Sequence, residues 1–301
     1  MPAKAGNCGC TGRSAQLKKR EKLRNKFIIL IITILHLGCA NKSIDGIEVD
    51  FKNRQYEDVI ENCNKILIKD SLNHEALILR GRAKTELREF EGAEQDIRKA
   101  IKINPKEPEY YCSLSYLMNK KGNFLLGKEF AEKTIEIDYD NFCGWTNKSW
   151  SDLELGNLEE SFKESEKALI LTRNLEDETE KSPIYANRAI ILYEWGNIDE
   201  SEIEAKKAVK FDSKSIEALI ILAKVTAKKK NYSKAIELMN DAIKLDENYG
   251  LLYLNKGMIF LAMGKENEGC KWMKKGIKVN ELYPHPYTKD MEKLENKYCG
   301  K

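Results

Sequence analysis

Histidine and cysteine are the residues of this 301-residue sequence best suited to chemistry, and their placement excludes more than it allows. His36 lies in an apolar run near the N-terminus, while His74 and His285 stand about 210 residues apart. That separation leaves no His-dependent triad and no His-rich metal site in ordinary geometry. The sequence also has no phosphate-binding loop and no dinucleotide-binding glycine motif. We therefore expect a protein that is not an enzyme and that takes neither cofactor nor metal. Cys8 and Cys10 form a C-x-C among glycines and alanines, too few ligands for a metal site. Cys63, Cys112, Cys143 and Cys270 fall in helical segments, where a free core cysteine is the simplest reading. A Cys112–Cys143 disulfide stays open if the compartment is oxidising. Cys299, in the tail, is a candidate reactive thiol.

Cys39 has a different setting. Lys18–Lys26 carries six basic residues and one acid, and Phe27–Leu37 follows as an apolar run broken only by Thr33 and His36. A basic segment, a short apolar segment and a small residue before a cleavage point describe a secretory signal. The run is too short to span a bilayer as a helix, which takes about 20 residues. Leu37-Gly38-Cys39 resembles the bacterial lipobox, in which the cysteine thiol is diacylglycerylated and becomes the new N-terminus. The resemblance implies a lipoprotein of the bacterial envelope, fatty-acylated with a chain such as palmitate and anchored in the inner or the outer membrane. His36 departs from the pattern, and an uncleaved signal anchor or a buried helix are the other readings. Met1–Gln16 is unlike a normal leader, and initiation at Leu23 explains it as well. Removing residues 1–38 takes away eight basic residues and one acid, so the formal charge moves from +3 to −4. With its charges dispersed, such a chain has no basic stripe for nucleic acid.

The elements that position everything else repeat. Leu77, Tyr111, Trp145, Tyr185, Leu219 and Tyr253 follow one another at spacings of 34, 34, 40, 34 and 34. Four residues after each stands a small one: Gly81, Ser115, Ser149, Ala189, Ala223 and Gly257. A second set of small residues (Ala93, Gly127, Ser161, Ser201, Ala235 and Gly269) keeps the same register. Small residues on one helix face let a neighbouring helix approach closely. A fixed period of this length means stacked helix-turn-helix units, not one globular core. Gly122, Gly156, Gly196 and Gly264 fall between the two helices of a unit, where positive φ is needed. Arg88 and Lys230 hold that place in two units, so a different turn is expected there. Gly127, Gly269 and Gly276 replace helix-favouring residues at about 0.5–1 kcal/mol each, so the last unit is expected to be the softest.

These columns resemble the tetratricopeptide repeat family, most clearly in the unit His74–Glu107. The resemblance implies an all-α solenoid, a right-handed superhelix of antiparallel helix pairs whose first helices line a concave groove. Six units occupy residues 74–283, with an acidic insertion near 176–181 that reads as a solvated loop or a partner contact. Residues 39–73 hold the anchor, a short linker and a degenerate first repeat, and 284–301 a capping helix and tail. Such proteins bind protein or peptide partners. By resemblance Arg82, Tyr116, Trp150, Ile190, Lys224 and Met258 look into the groove, and Asn147, Asn187 and Tyr193 share that face. The apolar end (Leu251, Leu254, Met258 and Leu261) either binds a ligand or lies under the tail helix. The expected function is a lipid-anchored envelope scaffold or adaptor. The alternative is a soluble cytosolic co-chaperone-like adaptor, but Ile78, Cys112, Thr146, Ala186, Ile220 and Leu254 stand where its clamp lysine belongs.

Overall fold

The structure is a computed structural model that describes residues 42–175, 177–282 and 288–300. Cys39 and the apolar run before it lie outside these residues. Among the described residues the chain forms fifteen α-helices and one 3-10 turn, and no strand. Seven antiparallel pairs follow one another. They are α1 (Ile44–Lys52) with α2 (Tyr56–Lys69), α3 (His74–Glu86) with α4 (Phe90–Ile103), and α5 (Pro108–Lys120) with α6 (Phe124–Ile137). Next come α7 (Phe142–Glu154) with α8 (Leu158–Leu171), α9 (Lys181–Glu194) with α10 (Ile198–Phe211), and α11 (Ile216–Lys228) with α12 (Tyr232–Leu245). The last pair is α13 (Gly250–Ala262) with α14 (Glu266–Leu282), and α15 (Thr288–Cys299) closes the row. The expected all-α solenoid with a terminal capping helix is what the chain forms.

One turn design recurs in every pair. A residue at positive φ ends the first helix, and the N–H after it reaches back five residues to a helix carbonyl. Examples are Glu89 to Lys84 at 2.9 Å, Asn157 to Asp152 at 2.8 Å and Lys265 to Phe260 at 3.0 Å. This is a Schellman closure, which satisfies carbonyls the helix end would leave unpaired. Gly122, Gly156, Gly196 and Gly264 sit there at φ of 75–85°. Arg54, Arg88 and Lys230 take the same geometry at φ 62–66°. The expectation of a different turn at Arg88 and Lys230 is thus corrected: neighbouring structure imposes the left-handed residue despite its Cβ.

The two columns of small residues meet inside each pair. Ser115 Oγ donates to the Gly127 carbonyl at 2.7 Å and Ser201 Oγ to the Ala189 carbonyl at 2.6 Å. In the last pair the approach is closer still, since a Cβ on Gly276 would lie 2.6 Å from the Gly250 carbonyl oxygen. Those glycines are therefore contact points rather than weak spots. Beside the small residues runs a charge ladder. Arg80 reaches Asp96 on its own pair and Asn64 on the preceding one, at 2.5 and 2.6 Å. Lys148 reaches Glu164 at 3.0 Å and Glu132 at 3.4 Å, and Arg188 reaches Glu204 at 3.0 Å. Where this position is Leu114 or Leu222, the residue opposite is Phe130 or Leu238, while in the last pair Lys256 stands over the Trp272 ring at 3.6 Å.

Candidate binding groove

The successive first helices bring Tyr116 of α5 and Trp150 of α7 together, ring centroids 5.8 Å apart. Lys120, one helical turn beyond Tyr116, lies over both rings at 5.4 and 5.9 Å. Its ammonium pairs with Glu217 on α11 at 3.1 Å, and Glu86 stands near the Tyr116 hydroxyl. Protein surrounds these groups, yet the Lys120 and Glu217 side chains keep 24 and 48 % of their surface accessible. They are within reach of water rather than in a dry core. Burial opposes the Lys120 charge, but Glu217, Tyr116 and Glu86 together hold its pKa well above the ordinary value. The Lys120 charge in turn holds the Glu217 carboxyl low. Loss of water around Tyr116 pushes its phenol well up, so it remains a neutral donor.

The remaining expected groove residues divide into three groups. Arg82, Ile190, Tyr193 and Lys224 are half-buried like Tyr116 and Trp150. Arg82 lies 4.7 Å from the Phe51 ring, and Lys224 lies 5.3 Å from the Tyr193 ring. Asn147 is a correction. It is only 4 % exposed and donates to the Cys112 carbonyl at 3.1 Å, tying α7 to α5 instead of serving a ligand. Asn187 is likewise buried at 9 %. Met258 is half-buried too, and with Leu251 and Leu261 it packs against the cluster of Leu254, Met273 and Met291, the last of these on α15; it also lines a cavity with Leu261 and Tyr298. The tail helix therefore packs on the apolar end of the groove and leaves part of it open.

The cysteines differ from expectation as well. Cys112 is bonded to Cys143, and Cys270 to Cys299, which pins α15 to α14. Cys299 is not a free thiol and Cys270 not a free core cysteine. Cys63 is the free one among the described residues, and burial pushes its thiol up to about 12, leaving it unreactive. Glu109, Cys112 and Cys143 cluster closely enough to suit a metal, but both thiols are committed to the disulfide.

The row of pairs curls until its early turns meet its late loops. Lys52 pairs with Asp177 of the insertion at 3.4 Å, which makes that segment a contact across the groove mouth. Arg54 pairs with Asp212, and Arg88 with Asp246, each at 2.6 Å. Sequence reasoning missed these pairings, along with Lys120–Glu217, because each pair is separated by some 100 residues or more.

The tetratricopeptide repeat model matches residues 74–107, 216–249 and 251–281, three of the seven pairs. Those three pairs match tetratricopeptide repeats. Over 190 residues it is 28 % identical to the human protein O-mannosyl-transferase TMTC3, which covers 63 % of this chain and 17 % of that protein. The chain thus spans about a sixth of that relative's length. Among solved structures, the APC/C hetero-tetramer Cut9–Hcn1 superposes with a TM-score of 0.61 at 15 % identity, covering 75 % of this chain and 43 % of that one. A tetratricopeptide repeat protein from Parabacteroides merdae gives 0.55 at 15 % identity, covering 84 and 96 %. At such identities the likeness shows the fold. A tetratricopeptide solenoid is consistent with protein–protein interaction.

Proposed function

We propose that this chain is a lipid-anchored scaffold of the bacterial envelope that holds a protein or peptide partner in its concave groove, without catalysis or cofactor. The observation that carries the groove reading is the Tyr116–Trp150–Lys120 constellation, half-buried and lined up on consecutive first helices. Aromatic rings offer large contact area at small entropy cost, and a neighbouring ammonium adds direction. The anchor reading rests on Leu37-Gly38-Cys39 after its basic and apolar runs. Two disulfides, Cys112–Cys143 and Cys270–Cys299, support an oxidising compartment over the cytosol, which keeps thiols reduced.

Labelled fatty acid should enter the wild-type protein in its host and fail to enter Cys39→Ala; equal labelling of both removes the lipoprotein reading. In pull-downs from the host envelope, a partner retained by the wild type should be lost or reduced at least tenfold by Trp150→Ala and Arg82→Ala, with helical content unchanged. Undiminished retention by both variants removes the groove reading.

A further inference from the structure

Two of the contacts across the groove are copies of one arrangement. Arg54 and Arg88 hold equivalent turn positions 34 residues apart, both at φ 62°, where four other units use glycine. A side-chain-bearing residue is disfavoured in that conformation; Lys230 also takes it, and the two arginines add contacts across the groove. Arg54 donates through Nη2 to Asp212 Oδ2 at 2.6 Å and through Nη1 to the Lys214 carbonyl at 2.9 Å. Arg88 does the same one unit on, to Asp246 Oδ2 at 2.6 Å and the Asn248 carbonyl at 3.2 Å. Its guanidinium also lies 4.6 Å from the Tyr249 ring.

The receiving loops are shaped in advance. Asp212 Oδ1 accepts the Lys214 N–H and Asp246 Oδ1 the Asn248 N–H, each at 2.9 Å, which leaves both Oδ2 atoms for the arginines. The turn residue after Arg88 in the next unit is Gly122, and the position 34 after Asp246 is Asn280. Asp70 and Asp138 hold the same loop position and accept the same N–H, so the aspartates belong to the repeat and the arginines are the added partners.

We propose that the two arginine forks form an electrostatic clasp that holds the superhelix closed over its own groove and gates partner access. The gating rests on the groove reading above; the clasp does not. The paired side chains retain 39 and 21 % exposure at Arg54–Asp212, and 23 and 27 % at Arg88–Asp246. Water and ions reach them, so salt loosens this seam where it would tighten an apolar one. Lys120–Glu217 makes a further contact between the same halves of the row, directly over Tyr116 and Trp150. Releasing the clasp therefore exposes those two rings.

The test uses the full chain without any partner. Arg54→Gly/Arg88→Gly keeps the turn, since glycine serves there in four units, and Asp212→Asn/Asp246→Asn keeps the loop bonds while removing the charge. Small-angle scattering should show a larger radius of gyration for both double variants. Hydroxyl-radical footprinting should show Tyr116 and Trp150 oxidised several-fold faster, with Trp145 unchanged as internal reference. Half-molar sodium chloride should move the wild type the same way and leave the variants where they are. A wild-type radius and wild-type oxidation rates in both double variants overturn the clasp. That result would leave the groove reading intact, because its own test is the loss of a partner in Trp150→Ala.

Discussion

Glu164 shows how a ladder residue turns into a pH-dependent stability term. Its carboxyl is buried, with one oxygen on Lys148 at 3.0 Å and Oε2 without a hydrogen-bond partner. The two partners respond in opposite senses. Lys148 is raised, as attraction to Glu164 and Glu132 requires once it outweighs burial, whereas burial pushes Glu164 up to about 7. Burial wins at the carboxylate because that is the drier partner, 8 % exposed against 20 % for Lys148. An acid with a raised folded pKa binds its proton more tightly in the native state. The stability contributed by this group is therefore fully present below about pH 4.5 and is lost as pH rises through about 7. The loss attached to this group is on the order of 2–3 kcal/mol. Glu164→Gln stays neutral, so its melting temperature relative to wild type should improve between pH 5 and pH 8. A difference that is the same at both pH values contradicts this account. None of it is visible in the sequence, where Glu164 is one acid among many; the ladder becomes legible only when the residue three after each large one is followed from unit to unit.

At the scale of the helix pair, the sequence and the structure agree wherever the period carries the information. The small residues, the turn glycines and the helix order follow from 34-residue columns. They disagree where a single-residue rule meets its neighbours. Arg88 and Lys230 adopt the glycine turn because the backward hydrogen bonds on either side specify it. Gly276 looks like a weak helix residue until the approach of α13 is known. Helix propensity says that Gly276→Ala stabilises by about 0.5–1 kcal/mol. Packing says the opposite, because the new Cβ would meet the Gly250 carbonyl at 2.6 Å and the Leu254 nitrogen at 3.1 Å, and backbone cannot step aside. We expect a net loss of roughly 1–3 kcal/mol by denaturant unfolding. A stabilised variant would show that the last pair is looser than these distances require. The Cys270–Cys299 bond escaped sequence reasoning for a related reason: α15 stands outside the repeat register, so no column announced its partner.

At the scale of the whole molecule, the groove is a property of curvature, and curvature is the sum of small rotations between pairs. Column positions identified Tyr116, Trp150, Arg82, Tyr193 and Lys224 as sharing one face. They also placed Asn147 there, because position alone does not reveal that its amide is spent on the Cys112 carbonyl. Contacts between the first and second halves of the row, such as Arg54 with Asp212, depend on how far the row curls. A repeat pattern contains nothing that sets this distance directly. Arg54 and Arg88, standing where four other units use glycine, are the trace it does leave.

The central claim is that partners meet this protein inside the groove rather than on its outer helices. It is tested most directly by placing the photo-crosslinking residue p-benzoylphenylalanine at position 116, and separately at position 125. Leu125 lies on α6 and is 71 % exposed, so it serves as an outer-surface control. Irradiation of living host cells should yield a discrete crosslinked species from position 116 that is absent from position 125. Adducts from position 125 with none from position 116 would contradict the claim, and so would the same adducts from both.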